Sequence, residues 1–268
     1  WELSLSWQDR IGSVNYYVKG NLSDVKNKVI DLYGKEYVGT TTITKEGEEY
    51  NSWYGYVADG YFQSREEINN SPVYGGNPNN IKPGYIKYKD ISGPDGVPDG
   101  KIDNYERTIL GNSTPRYEFG LTLGGDWKGL DFSLFFQGVG KRDVYYSGAG
   151  ARALSGNYTI YKYQLDYWTE DNPHAKFPIL LEDPSGTNPN NMISSFWVKS
   201  GAYCRLKNIV LGYTLPQTWI QKAALSKVRI YASAQNLFTI KNNRETLRLS
   251  FSASASLPLV YFTETNKP

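Results

Sequence analysis

Four carboxylates punctuate one glycine-rich stretch of the chain, DISGPDGVPDGKID over residues 90–103. Hard oxygen ligands on a sharply turning backbone are what calcium requires, so the stretch is a candidate calcium site. The contiguous EF-hand pattern is not met, because Ser92 occupies its third place and Pro94 its fifth when counting starts at the first aspartate. Aspartate and glycine also form tight turns without any metal, and that alternative stays open. The candidate ligands are Asp90, Asp95, Asp99 and Asp103.

A second group of candidate binding residues is aromatic and lies in the segment SWYGYVADGYFQS. Aromatic rings offer a flat apolar face with a polar edge, which suits sugars and peptides. The same rings could instead pack a long connection together, and both interpretations are kept. The five candidate substrate contacts are Trp53, Tyr54, Tyr56, Tyr61 and Phe62.

The chain offers little for covalent catalysis. His174 is the one histidine and stands in a polar segment beside Pro173, and Cys204 is the one cysteine. A zinc site or a serine triad would need further ligands or a nucleophile motif. Adjacent carboxylates such as Glu66 and Glu67 are typical of a solvated edge rather than of a glycosidase pair. We therefore predict a protein that is not an enzyme and has no cofactor other than the calcium considered above.

The elements that position these groups are strands with strict alternation. Along 117–124 and 130–137, apolar side chains occupy every second place, and only residues around Trp127 to Gly129 separate the two runs. A period of two predicts strands with one apolar face, and the short connection predicts a hairpin. Further strands are predicted at 3–7, 14–18, 205–215, 228–235 and 247–257, with a turn at 8–13, a short strand near 40–44 and a short helix within 159–172.

Connection lengths alternate between short and long along the seven main strands. This asymmetry is typical of outer-membrane barrels, which have short periplasmic turns and long external loops. Strands of roughly ten residues also match a tilted strand that crosses a bilayer. Seven strands cannot close a wide lumen, whereas plugged transporters use about 22. The predicted fold is therefore all-β, a fragment of an antiparallel transmembrane β-barrel with long external loops.

Composition sets the remaining bounds. The 268 residues carry a net charge of only +2, and the lysines and arginines are scattered along the chain. We therefore do not predict nucleic acid as a partner. Aromatic residues make up 15% of the chain, which is typical of the interfacial girdles of a membrane barrel. The same content would also suit a soluble extracellular β-rich glycan-binding module, which is the alternative function.

Several strings, in order along residues 1–239, resemble the SusC/RagA-type family of TonB-dependent outer-membrane transporters. The strings are WELSLSWQDRIGSVNYYVKGNLSDVKNKV, SWYGYVADGYFQS, GYIKYKD, DGKIDNYERTILGN, TPRYEFGLTL, GLDFSLFFQGV, YCRLKNIVLGYTLP and KVRIYASAQNLFT. They resemble the C-terminal part of the barrel, so residues 1–268 are expected to be that part without the plug domain. Members of the family usually end on a strand that closes with an aromatic residue. The end of this chain departs from that, because Tyr261 and Phe262 are followed by six more residues.

The resemblance implies a function and a set of partners. It implies TonB-dependent import of oligosaccharides or peptides across the outer membrane, where the barrel contacts outer-membrane lipid. The implied partners are a SusD-like surface lipoprotein and the TonB complex, reached through the missing N-terminal region. Import moves the substrate without changing it, in agreement with a protein that is not an enzyme.

Overall fold

The computed structural model describes residues 1–154, 159–183, 188–221 and 227–241. The chain forms two compact units. Unit 1 consists of Trp1–Lys26, Thr114–Arg142 and the described residues from Ser200 onward, and unit 2 consists of Asn27–Ser113 and Asp143–Lys199. Unit 2 is thus built from the two long connections.

Unit 1 is one antiparallel sheet of six long strands. All six were predicted from the alternation, and the predicted strand at 247–257 lies outside the described residues. A short helix, α1 or α2, occurs in each unit, at Arg65–Asn69 in unit 2 and Gln217–Ile220 in unit 1. The long strands, in their order across the sheet, are β1 (Glu2–Ile11), β2 (Val14–Ser23), β9 (Arg116–Trp127), β10 (Leu130–Lys141), β13 (Tyr203–Thr214) and β14 (Arg229–Lys241).

The first hairpin corrects one prediction. Residues 8–13 were predicted to turn, but β1 continues to Ile11, which pairs with Val14. Only Gly12 and Ser13 form the turn, and Gly12 has the positive φ of 63° that a two-residue hairpin loop needs. The polar residues Gln8, Asp9 and Arg10 continue the pairing with β2, because a strand position can form backbone hydrogen bonds whether or not its side chain is apolar.

Register places the apolar side chains of neighbouring strands on one face of the sheet. Leu5 and Trp7 on this face are 67% and 62% exposed. A soluble sandwich would bury such a face against a second sheet, whereas a membrane barrel presents it to lipid. The row nearest the short turns runs across the sheet through Val14, Trp127, Leu130, Tyr213 and Ile230.

The opposite face of the same sheet is predominantly polar. Residues there include Ser4, Ser6, Asn15 and Lys19, which alternate with the apolar set. Two ion pairs link strands of this unit. Arg229 Nη2 on β14 lies 2.5 Å from Asp131 Oδ2 on β10, so this pair spans the intervening β13. Arg116 on β9 pairs with Asp24, just after the neighbouring strand β2. Hydrogen bonds from Arg116 hold the pKa of Asp24 below its ordinary value.

Unit 2 is held by short strands and two apolar clusters. The first cluster contains Tyr56, Ile86, Tyr88, Ile102, Ala151 and Trp197, and the second contains Phe62, Ile68, Val73, Ile81 and Tyr85. The first cluster draws on both long connections, because Ala151 and Trp197 come from the second of them. A four-stranded sheet runs β3-β4-β5-β8, and β6 pairs with β7 and β11 with β12. These strands are β3 (Tyr37–Val38), β4 (Thr42–Thr44), β5 (Ser52–Gly55), β6 (Ala58–Tyr61), β7 (Ile86–Tyr88), β8 (Thr108–Gly111), β11 (Asp143–Tyr145) and β12 (Val198–Ser200).

The helix predicted within 159–172 is a second correction. Only one 3-10 turn forms there, Lys162–Leu165. Beyond it the backbone pairs with a neighbouring segment, because Phe177 donates to Asp166 and Trp168 donates to Phe177 in strand-like fashion. The strand predicted near 40–44 is confirmed as β4. No helix in residues 1–154, 159–183, 188–221 or 227–241 is long and apolar enough to cross a membrane.

Helix α1 carries an acid-sensitive contact. Ser64 caps the helix by accepting from the Glu67 amide at 3.1 Å, and the Glu67 carboxylate accepts from the Gln63 amide at 2.8 Å and from Lys87 Nζ at 2.9 Å. Burial raises the pKa of Glu67, but these hydrogen bonds outweigh it and hold the pKa below its ordinary value.

Glu67→Gln is expected to reduce the amount by which the free energy of unfolding of unit 2 falls at acid pH. A carboxyl whose pKa is lowered on folding contributes stability above its unfolded pKa of about 4.3, and this stability is lost as the pH falls through the folded pKa. Unfolding of the full-length protein at a series of pH values from neutral downward measures the effect. Glu66→Gln on the exposed neighbour is the control, and equal acid slopes for wild type and Glu67→Gln would contradict the assignment.

Candidate functional site

Three carboxylates of unit 2 come together into what we call the acidic cluster, namely Asp90, Asp99 and Glu106. Each contributes one oxygen, and the three oxygens lie within 4.8 Å of one another. The residues come from a turning segment and from the 3-10 helix that follows it, Asn104–Glu106. Such convergence of hard oxygen donors is what a divalent cation such as calcium requires.

Backbone geometry explains how the chain brings these groups together. Gly100 has φ of 81°, so the chain can turn sharply, and its amide donates to Asp90 Oδ2 at 2.7 Å. Asp103 caps the 3-10 helix by accepting from the Tyr105 amide at 2.9 Å. The Asp103 amide in turn donates to Glu106 Oε2, and this capping box fixes the glutamate side chain.

The electrostatics of the acidic cluster are unbalanced. Glu106 is only 1% exposed, and burial, with added repulsion from Asp103 and Asp90, raises the pKa of its carboxyl. Within the described residues, Glu106 Oε1 and Asp90 Oδ1 are buried without a hydrogen-bond partner. Lys101 Nζ reaches Asp99 Oδ2 at 3.8 Å, but its side chain is largely exposed. A mostly solvated lysine offsets little of this charge.

The sequence located this cluster only in part. Of the predicted calcium ligands, Asp90 and Asp99 belong to the cluster, Asp103 caps the neighbouring helix, and Asp95 is exposed and outside the cluster. Glu106 was missed. The signal that could have found it is its place six residues after Gly100, since an EF-hand loop has its glutamate six places after its glycine.

The five aromatic candidates divide by burial. Tyr56 and Phe62 are 3% and 2% exposed and belong to the first and second apolar clusters respectively. For these two the structure favours the packing alternative. Burial raises the pKa of the Tyr56 hydroxyl above its ordinary range, so it stays protonated.

The other three aromatic candidates, Trp53, Tyr54 and Tyr61, keep partial exposure. Trp53 donates from Nε1 to the Asp143 carbonyl at 3.0 Å. The Arg107 guanidinium lies 4.5 Å from the Tyr54 ring centroid, and the Tyr61 ring packs 5.8 Å from that of Phe196. Substrate contact by these residues stays a prediction. His174, in its polar segment, is exposed.

Unit 1 defines the class of protein. Its long antiparallel strands place an exposed apolar face opposite a polar one, and neighbouring strands keep this division through their register. The all-β prediction is confirmed, and the sheet is part of an antiparallel transmembrane β-barrel.

Comparison with known proteins names the family. The chain is 30% identical over 235 residues to TonB-dependent receptor P3 of Formosa agariphila, which covers 82% of this chain and 22% of the receptor. It is also 30% identical over 250 residues to TonB-dependent receptor P26 of the same organism. This alignment covers 88% of this chain and 24% of the receptor. No family model matches. The chain spans about a quarter of the length of these relatives.

Solved structures give the same result for the fold. The RagAB peptide importer in its open-open state matches with a TM-score of 0.64 at 21% identity, over 91% of this chain and 25% of that one. The RagAB peptide transporter matches with a TM-score of 0.65 at 22% identity, over 90% of this chain and 25% of that one. The resemblance seen in the sequence is confirmed: the chain is similar in sequence to TonB-dependent receptors, and its fold is that of the RagAB transporter. These relatives are named as receptors and importers rather than enzymes.

Proposed function

We propose that the chain is the C-terminal portion of the barrel of an outer-membrane importer that takes up oligosaccharides or peptides. The observation that carries the proposal is the exposed apolar face of unit 1, which needs hydrocarbon against it. The relatives supply the transport assignment, because they are TonB-dependent receptors and a peptide importer. In this proposal residues 1–268 belong to a longer protein whose plug domain lies elsewhere.

The proposed partners follow from the same assignment. A SusD-like surface lipoprotein would deliver substrate, and the TonB complex would supply energy through a region outside this chain. Edge strands of an open sheet leave backbone groups unpaired, which lipid cannot satisfy. The edges of the six-stranded sheet therefore need the remaining strands of the barrel.

Unit 2 supplies the candidate substrate surface in this proposal. The partly exposed aromatic residues Trp53, Tyr54 and Tyr61 offer ring faces for sugar or peptide groups. Tyr56 and Phe62 would act indirectly, since their burial supports the backbone that carries the others. No covalent step is required of any of these residues, because import leaves the substrate unchanged.

The proposal predicts loss of nutrient uptake when the full-length gene is deleted. A deletion strain is expected to lose uptake of one labelled pool, either oligosaccharides or peptides, and the full-length gene should restore it. A protonophore should abolish the restored uptake, because import of this type is energised from the inner membrane. Membrane fractionation and heat-modifiable gel mobility of the same protein provide the physical control.

Two results would overturn the proposal. Unchanged uptake of both pools in the deletion strain would remove the transport assignment. A full-length product that is soluble and monodisperse without detergent would instead favour the extracellular glycan-binding module, since a lipid-facing barrel needs detergent once it is extracted.

A further inference from the structure

The acidic cluster has little countercharge, because the lysine that reaches it, Lys101, lies 3.8 Å from Asp99 Oδ2 and is largely exposed. Three carboxylates converge, one of them almost completely buried, and two buried oxygens have no hydrogen-bond partner in the part of the chain that is described. Burying a carboxylate is strongly unfavourable unless it is paired or bound to a metal. The two unpartnered oxygens, Asp90 Oδ1 and Glu106 Oε1, leave acceptor capacity that a cation could use.

The sequence around the cluster fits a calcium loop once its spacing is counted from the structure. In the EF-hand pattern an acidic or amide residue at the fifth place precedes a glycine at the sixth, and a glutamate follows at the twelfth. Asp99, Gly100 and Glu106 have this spacing. Asp90 would hold the first place, but it precedes Asp99 by nine positions where the pattern has four. Five residues are therefore extra.

In the structure, the five extra residues form a separate turn between Gly93 and Asp99. A Cβ built on Gly93 would lie 3.0 Å from the Asp99 Cβ and 2.6 Å from the Val97 carbonyl oxygen. Gly93 and Asp99 thus lie side by side, as the residues at places four and five of an uninterrupted EF-hand loop do. Between them the chain turns back on itself, since the Gly96 amide donates to the Gly93 carbonyl at 2.9 Å. Residues 94–98 form this excursion.

The other places of the pattern are filled by suitable groups. Gly100, at the sixth place, has the positive φ that the sharp turn needs. The Lys101 carbonyl falls at the seventh place, where an EF-hand loop uses a backbone oxygen. Ser92 brings a hydroxyl to the third place and Asp103 a carboxylate to the ninth.

We propose that Asp90, Asp99 and Glu106 bind calcium in an EF-hand-type loop that is interrupted by residues 94–98. Several carboxylates with a backbone carbonyl on a flexible loop suit calcium, whereas magnesium demands near-octahedral geometry and retains its waters. The site is independent of the import function, and each can fail without the other.

Calcium in this loop is coupled to the core of unit 2. Ile102 lies between the ligands and is 1% exposed within the first apolar cluster. Its carbonyl accepts from the Gly75 amide at 3.2 Å, and it bridges to Tyr74. Because calcium binds the folded loop and not the unfolded chain, its binding free energy adds to the stability of unit 2.

The test compares calcium binding by the full-length protein in detergent. Calorimetric titration with calcium alone should detect one more site per molecule in wild type than in Glu106→Gln. If the variant still binds at this site, its calcium affinity should be at least about tenfold weaker, because even outer-shell changes at metal sites lower metal affinity by about 10–100-fold. Asp95→Asn is the matched control, because Asp95 lies in the excursion and is exposed. It should bind calcium as wild type does.

Thermal unfolding gives a readout that a structural role for Glu106 would not reproduce. In a chelator, Glu106→Gln should be as stable as wild type or more so, because it removes an uncompensated buried charge. With calcium present the order should reverse. If Glu106→Gln fails to assemble, Asp99→Asn carries the same test at a side chain that is partly exposed. Equal calcium responses in the ligand variant and wild type would overturn the proposal, as would a wild type that does not bind calcium.

Excision of residues 94–98 tests the interrupted loop itself. The shortened chain would read DISGDGKIDNYE, which has the twelve-residue spacing with serine at the third place. It should retain calcium binding that depends on Glu106. An excised protein that assembles but no longer binds calcium would refute the assignment of Asp90 and Asp99 to places one and five.

Discussion

Leu5→Arg is expected to prevent stable insertion of the full-length protein into the outer membrane. Leu5 lies midway along β1 on the apolar face and is 67% exposed, so the substitution disturbs little packing within unit 1. A charge on the lipid face near the bilayer midplane costs about 2–4 kcal/mol. The yield of heat-modifiable, membrane-embedded protein measures the effect.

Ser4→Arg is the matched control for this experiment. Ser4 is the preceding residue of β1, is also exposed, and points to the polar face of the sheet. The same charge there should leave the membrane-embedded yield close to that of wild type. Equal yields for Leu5→Arg and Ser4→Arg would show that the apolar face does not contact lipid.

Gly84→Ala is expected to destabilise unit 2 by about 2–5 kcal/mol. Gly84 has φ of 84°, and a non-glycine residue in the left-handed region costs about 1–2 kcal/mol. A Cβ there would also overlap the Trp168 ring and lie 2.7 Å from the Ile179 Cβ, and such overpacking costs about 1–3 kcal/mol. Resistance of the full-length protein to limited proteolysis within unit 2, measured across a denaturant series, reports the loss.

Gly75→Ala separates the two contributions. Gly75 has a similar φ of 71°, and a Cβ there would meet nothing within 4 Å. It should therefore show only the cost of the left-handed backbone, about 1–2 kcal/mol. If both variants lose the same stability, close packing against Trp168 contributes nothing.

The sequence predicted the long strands well because their signal is local. An alternation sustained over ten or more residues determines both the strand and its faces, as in β9 and β10. The strands of unit 2 have two to four residues, which is too short for a period to be measured. Several of them pair with distant segments, as β5 does with β8 and β6 with β7. The helical spacing within 159–172 was misleading for a related reason, because that segment pairs near Phe177 instead.

The acidic cluster shows what an insertion does to motif recognition. Asp90 and Asp99 were selected because acidic residues stand out among glycines, but a pattern with fixed spacing did not connect them to Glu106. Only the close approach of Gly93 to Asp99 shows that residues 94–98 leave the loop. Glu106 itself follows an ordinary capping residue, Asp103, and its burial is a tertiary property.

The two-part construction of the first apolar cluster governs the order in which the chain can fold. Tyr56 and Ile102 precede β9 and β10 in the chain, whereas Ala151 and Trp197 follow them. The cluster cannot close until the chain has been synthesised as far as Trp197 and both segments have been exported. Contacts of such high sequence separation form slowly. Unit 2 should therefore acquire protease resistance late in biogenesis, after the β9–β10 hairpin has formed.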